Sequence, residues 1–580
     1  MNFNTNKNAC HIERFFIILE KIFVIILKEG DSNMKLKSNA TEQKLRGAYY
    51  TPNLLANFMI NWAMDESVKS ILEPSCGDGI FLKELSNNTH NFKCTAVEIF
   101  EEEYLKAHQL VKNDSRFDVI NDDFYNHFEN NIKNKKYDLV IGNPPYIRYQ
   151  YLSSKQRTEQ SLILTNNGMK SNKLINAWVS FTVASVQLMK DDGKIAFVIP
   201  AELLQVKYAE DLRKYLMTHL QKITILTFKK LIFPEVEQEV VVLLGEKISN
   251  QNNSHQIRII ECNDIEDLNK SKSLIESIPF KDIDFNTTKW TRYFLSLKQN
   301  ELIELIQNDE RFFHFNDIAQ VDIGITTGNN SYFCLDKNTV EKYDLSEVTR
   351  PLIARSVNIP GITFNHSDWQ ANVQKGSNTF LLDFNSKNYF ELKSNQKNYI
   401  KLGEENNAHV GYKCRIRKEW YKIPSIYSPD AFFLRRNHYY PKFVLNNVEG
   451  AVSTDTMHRI RFSIFTDKRK AILSYYNSIA LAFTELEARS YGGGVLEILP
   501  GELEKVTIPN LEHIKFNDKE LDDLIDKIDY IIRHNGDINE VLDIVDNIVL
   551  INKLNISPEI IYEFKKIWNL LKNRRLNRSL

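Results

Sequence analysis

The chain has 580 residues, 43% of them hydrophobic and 26% charged, with a formal net charge of −1. That length exceeds one ordinary domain and predicts two or three. Near-neutrality excludes a globally basic protein and confines any polyanion-binding surface to a local patch. Six scattered cysteines, with no Cys-x-x-Cys pair, argue against a zinc ribbon or a disulfide framework and fit a reducing cytosol.

The N-terminal runs Phe15–Leu19 and Ile22–Leu27 are apolar but broken by Glu20-Lys21. They are shorter than the roughly 20 apolar residues of a spanning helix, and no small-residue cleavage site follows. Residues 1–33 are read as an extension, with Met34 a candidate start. From residue 54, strand and helix signals alternate. Leu54, Leu55, Phe58, Met59 and Trp62 recur at helical spacing. Ile71-Leu72 predicts a strand running into Gly77-Asp78-Gly79, followed by a helix over 80–85. A strand ending in Glu98, a helix over 101–111 and a short strand over 118–120 before Asp122-Asp123-Phe124 come next. Leu139–Ile141 is a further strand, 175–189 a buried helix stopped by Asp191-Asp192-Gly193, and 195–199 a strand capped by Pro200. Val240–Leu244 is a late strand that closes the sheet.

Such alternation predicts an α/β fold with a doubly wound, mostly parallel sheet whose ligands sit at the strands' carboxyl ends, where each polar cluster falls. The polar run 249–255 marks a domain boundary. β-branched and aromatic residues dominate from about 315 to 510, and helical periodicity returns in the last 60 or so residues. The expected division is 34–250 for a catalytic domain, 257–510 for a second domain and 511–580 for a C-terminal helical segment.

In Glu73-Pro74-Ser75-Cys76-Gly77-Asp78-Gly79, the Gly-x-Gly turn between strand and helix lets a ligand approach the backbone closely. A plain tight turn reads almost as well until the later carboxylates are counted. Glu98 at a strand end can accept both hydroxyls of a ribose, and Asp123-Phe124 can accept from an adenine amine and lie against its ring. Neither a full G-x-G-x-x-G fingerprint nor a G-x-x-x-x-G-K-[ST] phosphate loop occurs, so a nucleoside without a pyrophosphate is the expected ligand. In Asn143-Pro144-Pro145-Tyr146 the Asn143 side-chain oxygen and the Pro144 carbonyl form a pair of acceptors for the hydrogens of an exocyclic amine, and Tyr146 can stack on its base. An aromatic amine is a poor nucleophile, so orientation and electrostatics carry such a reaction.

Together these strings resemble the γ-class S-adenosylmethionine-dependent N6-adenine DNA methyltransferases of restriction–modification systems, the Taq-like and Eco57I-like group. The resemblance spans about 45 to 245 and implies a Rossmann-like class I methyltransferase domain, a mixed α+β target recognition domain and C-terminal helices. It implies that Tyr49 and Thr51 of Gly47–Pro52 contact the donor. It also implies that Glu73, Pro74, Ser75, Gly77 and Gly79 hold its methionine end, Glu98 its ribose, and Asp123 with Phe124 its adenine. Asn143, Pro144, Pro145 and Tyr146 then correspond to the catalytic tetrad. Later strings, Gly324–Gly328, Thr454–Arg459 and Tyr491–Gly494, look like features of recognition domains. One departure stands out: the family's second aromatic face on a late strand has no aromatic within 234–244, leaving Phe233 or an aliphatic substitute. Losing that face could cost ~1–3 kcal/mol of base binding.

A target adenine in a duplex must be extruded at a cost of roughly a few kcal/mol. Lys413, Arg415, Arg417, Lys418, Lys422, Arg435, Arg436 and Lys442 stand among Trp420, Tyr421, Tyr427, Tyr439 and Tyr440, a candidate DNA surface to which Arg148, Tyr149 and Tyr151 are added to hold the extruded strand. A solvated strand face is the bland reading. The basic C-terminus (Lys572, Arg574, Arg575, Arg578) reads as a helix end or a tail, with simple solvation at least as good an account as DNA contact, and His458-Arg459 as a turn or a DNA backbone contact. The expected partners are double-stranded DNA and a separate restriction endonuclease, in the cytoplasm and away from membranes. No metal site is expected, since no Glu-x-Lys follows Pro429-Asp430 at nuclease spacing. Other readings are an N4-cytosine DNA methyltransferase, whose motif more often carries serine in place of Asn143, a protein-glutamine methyltransferase, and a catalytically dead DNA-binding module.

Overall fold

The computed structural model describes residues 50–233, 239–249, 254–270, 278–285 and 289–577. The N-terminal extension, Tyr49, the stretch 234–238 and Arg578 lie outside the described residues. Strands β1 (Ser70–Glu73), β2 (Lys93–Glu98), β3 (Phe117–Asn121), β4 (Tyr137–Gly142), β5 (Met189–Pro200), β6 (Lys222–Phe228), β7 (Val240–Glu246), β8 (Gln256–Cys262) and β9 (Lys281–Asp282) share one sheet. Their order is β3-β2-β1-β4-β5-β7-β6-β8-β9. The first five run parallel, and β7 lies antiparallel between β5 and β6.

The centre of the sheet is covered on both faces, which is why β4, the second half of β5 and β7 read as apolar runs, whereas the edge strand β3 has no buried residue. Leu139 and Ile141 turn to one face, with Ile71, Ala196 and Val198, beneath α1 (Asn53–Ala63), α2 (Ile80–Ser86) and α3 (Glu101–Val111). Val140 turns to the other, with Leu72, Ile195 and Phe197, beneath α6 (Ala177–Gln187) and α7 (Glu210–His219). Two further helices, the four-residue α4 (Phe124–His127) and the longer α5 (Ser154–Asn166), lie over the carboxyl ends of β3 and β4. Strand order reverses between β1 and β4, so a crevice opens where Glu73 and the Asn143 turn meet.

Several expectations change. Asp191-Asp192-Gly193 does not separate helix from strand: the helix ends at Gln187, and β5 begins at Met189 with a register shift opposite Tyr137–Leu139 that leaves Lys190, Asp191 and Asp192 in solvent. β7 does not close the sheet but sits inside it, paired also with β6, a strand the sequence reading passed over. The sheet continues past residue 250 as well. The polar run there links β7 to β8, which pairs parallel with β6.

Beyond it, a five-stranded sheet contains Ala319–Ile323, Met457–Phe462, Ala431–Leu434, Phe443–Asn446 and Thr363–Phe364, in that order across the sheet. The helices Asp518–Arg533, Ile538–Val545 and Pro558–Leu576 share one apolar cluster with these strands rather than standing apart. The basic C-terminus is a helix end, as one of the two readings had it, but it is not simply solvated: Arg575 is 2% exposed and paired with Glu485 at 2.6 Å, and Arg574 reaches Glu261 on β8 at 2.7 Å. His458 and Arg459 occupy neither a turn nor a free surface. Both are buried in Met457–Phe462, His458 against the Ile498 carbonyl and Arg459 donating to the carbonyls of Ile323 and Ser425.

Candidate active site

A cavity of about 570 Å³ opens at the carboxyl ends of β1 to β4. Its floor is the turn after β1. Gly77 and Gly79 adopt φ of +53° and +87°, conformations an L side chain resists. A Cβ on Gly79 would stand 3.0 Å from the Ala107 Cα, so this glycine lets α2 pack on α3. Gly77 faces open space, and its N–H donates to Glu98 Oε2 at 2.9 Å. The Phe100 N–H donates to Glu98 Oε1, also at 2.9 Å. Burial raises the Glu98 carboxyl above its usual range, and these backbone donors partly offset that.

Glu73 differs. It is fully buried, yet neither carboxylate oxygen accepts a hydrogen bond. Burial first, then the nearby Glu98 and Asp78, push its pKa well above the ordinary value. An unpaired buried carboxyl is costly unless a cation arrives. The amino acid end of an S-adenosylmethionine donor carries one, so Glu73 fits it, and Glu98 beside the glycine turn fits a ribose.

At the next strand end Asp123 caps α4: Oδ1 accepts the Tyr125 N–H at 2.8 Å, and Oδ2 accepts from Gln156 Nε2 at 2.6 Å. Phe124 is buried beside Phe181 of α6, ring centroids 4.7 Å apart. Gln156, Phe181 and Tyr151 also line the cavity; the first two carry no sequence expectation, and Tyr151, expected beside Arg148 and Tyr149 to hold an extruded strand, lines the cavity instead. Gln156 left a signal, since Ser153 and Gln156 form a reciprocal capping box at the start of α5. Phe181 left none, being one apolar residue in a helix buried from Ala177 to Val186.

The turn after β4 joins this cavity to its surroundings. Asn143 and Pro145 line it, with Pro74, Ser75 and Thr51. Asn143 Nδ2 donates to Thr51 Oγ1 at 3.3 Å, and Ser75 Oγ donates to the Asn143 carbonyl at 3.3 Å. Pro144 and Tyr146 do not line the donor cavity: Pro144 is buried, and the Tyr146 hydroxyl donates to the Val198 carbonyl on β5 at 3.1 Å. Phe233 is 7% exposed and packs in the apolar cluster beneath α1.

The candidate DNA surface divides. Lys413 and Arg415 are exposed on the short helix Tyr412–Arg415, and Arg148 is exposed after the Asn143–Tyr146 turn. Tyr149 lies beneath the Arg157 guanidinium, 5.1 Å from its ring centre. Arg417 turns inward and donates to the carbonyls of Thr326, Thr327 and Trp420, which makes it a loop brace rather than a phosphate ligand. Arg435 and Arg436 share Glu497 as ion-pair partner, at 2.9 and 3.2 Å, with Arg436 71% exposed. Trp420 and Tyr421 belong to an apolar core, and Lys442 clamps the carbonyls of Ile359 and Pro360.

Comparison with known proteins agrees with this geometry. Residues 2–233 match the family model described as Eco57I restriction-modification methylase, and residues 287–550 match the type II methyltransferase M.Eco57I C-terminal domain. The type II methyltransferase M.AccI of Acinetobacter calcoaceticus is 23% identical, over 88% of this chain and 95% of its own length. M.HincII of Haemophilus influenzae is 31% identical over 39% of this chain and 43% of its own. Among solved structures, the type IIL restriction-modification enzyme MmeI in complex with DNA shares the fold, with TM-score 0.54 and 11% identity over 92% of this chain and 77% of that one. No helix among the described residues is long and apolar enough to cross a membrane. The chain belongs to the Eco57I-like family of type II restriction–modification methyltransferases, and its methyl donor is S-adenosylmethionine.

Proposed function

We propose that this protein methylates the N6 amine of an adenine flipped out of duplex DNA, as the modification arm of a restriction–modification pair. The observation that carries the reading is the Asn143–Tyr146 turn: Asn143 lines the donor cavity, while Tyr146 stands outside it, braced on β5. That arrangement suits a base entering from the Tyr146 side with its amine directed toward the donor. The bound donor supplies an electrophilic methyl group on a sulfonium centre. The chain's own part is geometric. The Asn143 side-chain oxygen and the Pro144 carbonyl accept the amine's hydrogens, which turns its lone pair toward the methyl group. Tyr146 stacks on the base, and no covalent nucleophile is needed. Asparagine at position 143 favours adenine over cytosine as the target.

In this reading the catalytic unit comprises the described residues up to 285, and the recognition unit 289–577. Arg148, Lys413, Arg415 and Arg436 are the proposed phosphate contacts, acting on cytoplasmic DNA. Cleavage is assigned to a separate endonuclease. Asp430, the one acidic residue of the nuclease-like string, accepts the Phe462 N–H at 3.0 Å and pairs with Lys468 at 2.6 Å.

The test is product analysis. Protein incubated with labelled donor and duplex DNA, followed by digestion to nucleosides and mass spectrometry, should yield N6-methyldeoxyadenosine. N4-methyldeoxycytidine, or label only in protein, would overturn the reading. Asn143→Ala should lower transfer by about 10²–10³-fold while calorimetric donor affinity stays within a few-fold.

A further inference from the structure

Gln205 sits where the catalytic sheet meets the recognition unit, just past the turn Ala201–Leu204 that continues β5. It is 8% exposed. Its Nε2 donates to the Ser490 carbonyl at 3.0 Å and to Ser490 Oγ at 3.2 Å, while its Oε1 accepts the Ser490 N–H at 3.3 Å. A side-chain amide thus bonds both ways with one backbone residue, as a neighbouring strand would. The segment carrying Gln205 is itself fixed. Arg213 of α7, 1% exposed, donates to the carbonyls of Leu203 and Val206, which flank Gln205, at 2.8 and 3.1 Å.

Each partner leads to a different half of the proposed chemistry. Upstream of Gln205 on β5 is Val198, whose carbonyl holds the Tyr146 hydroxyl. Ser490 lies in the strand Arg489–Tyr491, which pairs antiparallel with Val495–Glu497, and that strand pairs with Arg436–Asn437. Glu497 in turn holds Arg435 and Arg436. A continuous series of short contacts therefore runs from the base-stacking ring to the basic side chains of the recognition unit.

We propose that Gln205 is a positioning residue that keeps the Ser490 strand in register with the end of β5. A duplex gripped by the recognition unit then delivers its target base to the Asn143 turn. The assignment rests on the DNA-methylation reading above. Gln205→Met tests it, because methionine keeps the side chain's length and bulk but can neither donate nor accept strongly. Loss of these bonds should lower kcat/KM for the cognate duplex by about tenfold. It should also narrow the preference for the cognate site over single-base variants and speed exchange of the Ser490 amide. Donor affinity by calorimetry should match wild type, and the melting temperature should stay within the few degrees that the lost hydrogen bonds are worth. Wild-type kcat/KM and selectivity in the variant, alongside normal adenine methylation by the parent, would overturn the assignment alone. So would a variant that melts more than those few degrees early or binds donor poorly, since its defect would be one of folding. A parent that methylates no duplex would sink the underlying reading and this assignment with it.

Discussion

Glu73→Gln should stabilise the protein in the absence of donor and weaken its hold on donor. The wild-type carboxyl is fully buried, with neither oxygen hydrogen-bonded and with Glu98 and Asp78 adding like charge. Its folded pKa lies well above the ordinary 4.5, so folding favours the protonated form. The stability it permits is intact below about pH 4.5 and is lost as pH rises through the folded value. Glutamine cannot ionise and escapes that loss. At pH 8 the gain should be on the order of 1–3 kcal/mol, the usual cost of a buried polar group without partners. For a unit of about 200 residues each kcal/mol raises the melting temperature by roughly 2–4 °C. Thermal unfolding at pH 5 and pH 8 measures it, and the curves of the two proteins should converge at the lower pH. Adding donor should raise the wild-type melting temperature far more than the variant's, because an amide can accept a hydrogen bond from an ammonium group but brings no opposite charge to it, a loss of about 100-fold in affinity. A variant that melts at or below wild type at pH 8, or one that binds donor normally, would refute the idea that this carboxyl is an unmatched partner held for a cation.

Three further outcomes follow from the same geometry. Tyr146→Phe removes the hydroxyl and its bond to Val198 and should cost a few-fold in kcat/KM, whereas Tyr146→Ala also removes the proposed stacking face and should cost about 10–100-fold; equal losses would mean the ring does not stack. Gln156→Leu breaks both the capping box and the bond to Asp123, so it should destabilise the fold by about 1 kcal/mol and weaken donor binding several-fold, read by denaturant melts and calorimetry. Replacing Lys413 and Arg415 together by alanine should flatten the dependence of duplex affinity on log salt by about two counterions, while Arg417→Ala should instead lower stability through the carbonyls it leaves.

The positions of Glu73, Glu98 and Asn143 were legible because a parallel sheet buried on both faces turns its inner strands into apolar runs, and a polar residue after such a run marks its carboxyl end. β6 escaped because Lys222–Phe228 follows α7 with little turn signal, only Leu220 and Gln221 standing between them. The segment 413–442 shows a different limit. Arg415 and Arg417 are two residues apart and chemically identical, yet one faces solvent and the other three backbone carbonyls. Composition counts charges but carries no record of which way a loop closes.

The bracing of the catalytic turn bears on how rate could be lost at a distance. Asn143 is held by Thr51 and Ser75, which come from the segment before α1 and from the loop after β1. Tyr146, three residues on, is held by β5. The cavity floor, the Asn143 amide and the Tyr146 ring are therefore tied together by short bonds at the point where strand order reverses. A shift of the β5 end would move the ring relative to the amide, and misplacements near 1 Å cost on the order of 100-fold in such reactions. Changes at Arg213 or Val198, which touch no reacting atom, should therefore appear in the transfer step before they appear in donor binding.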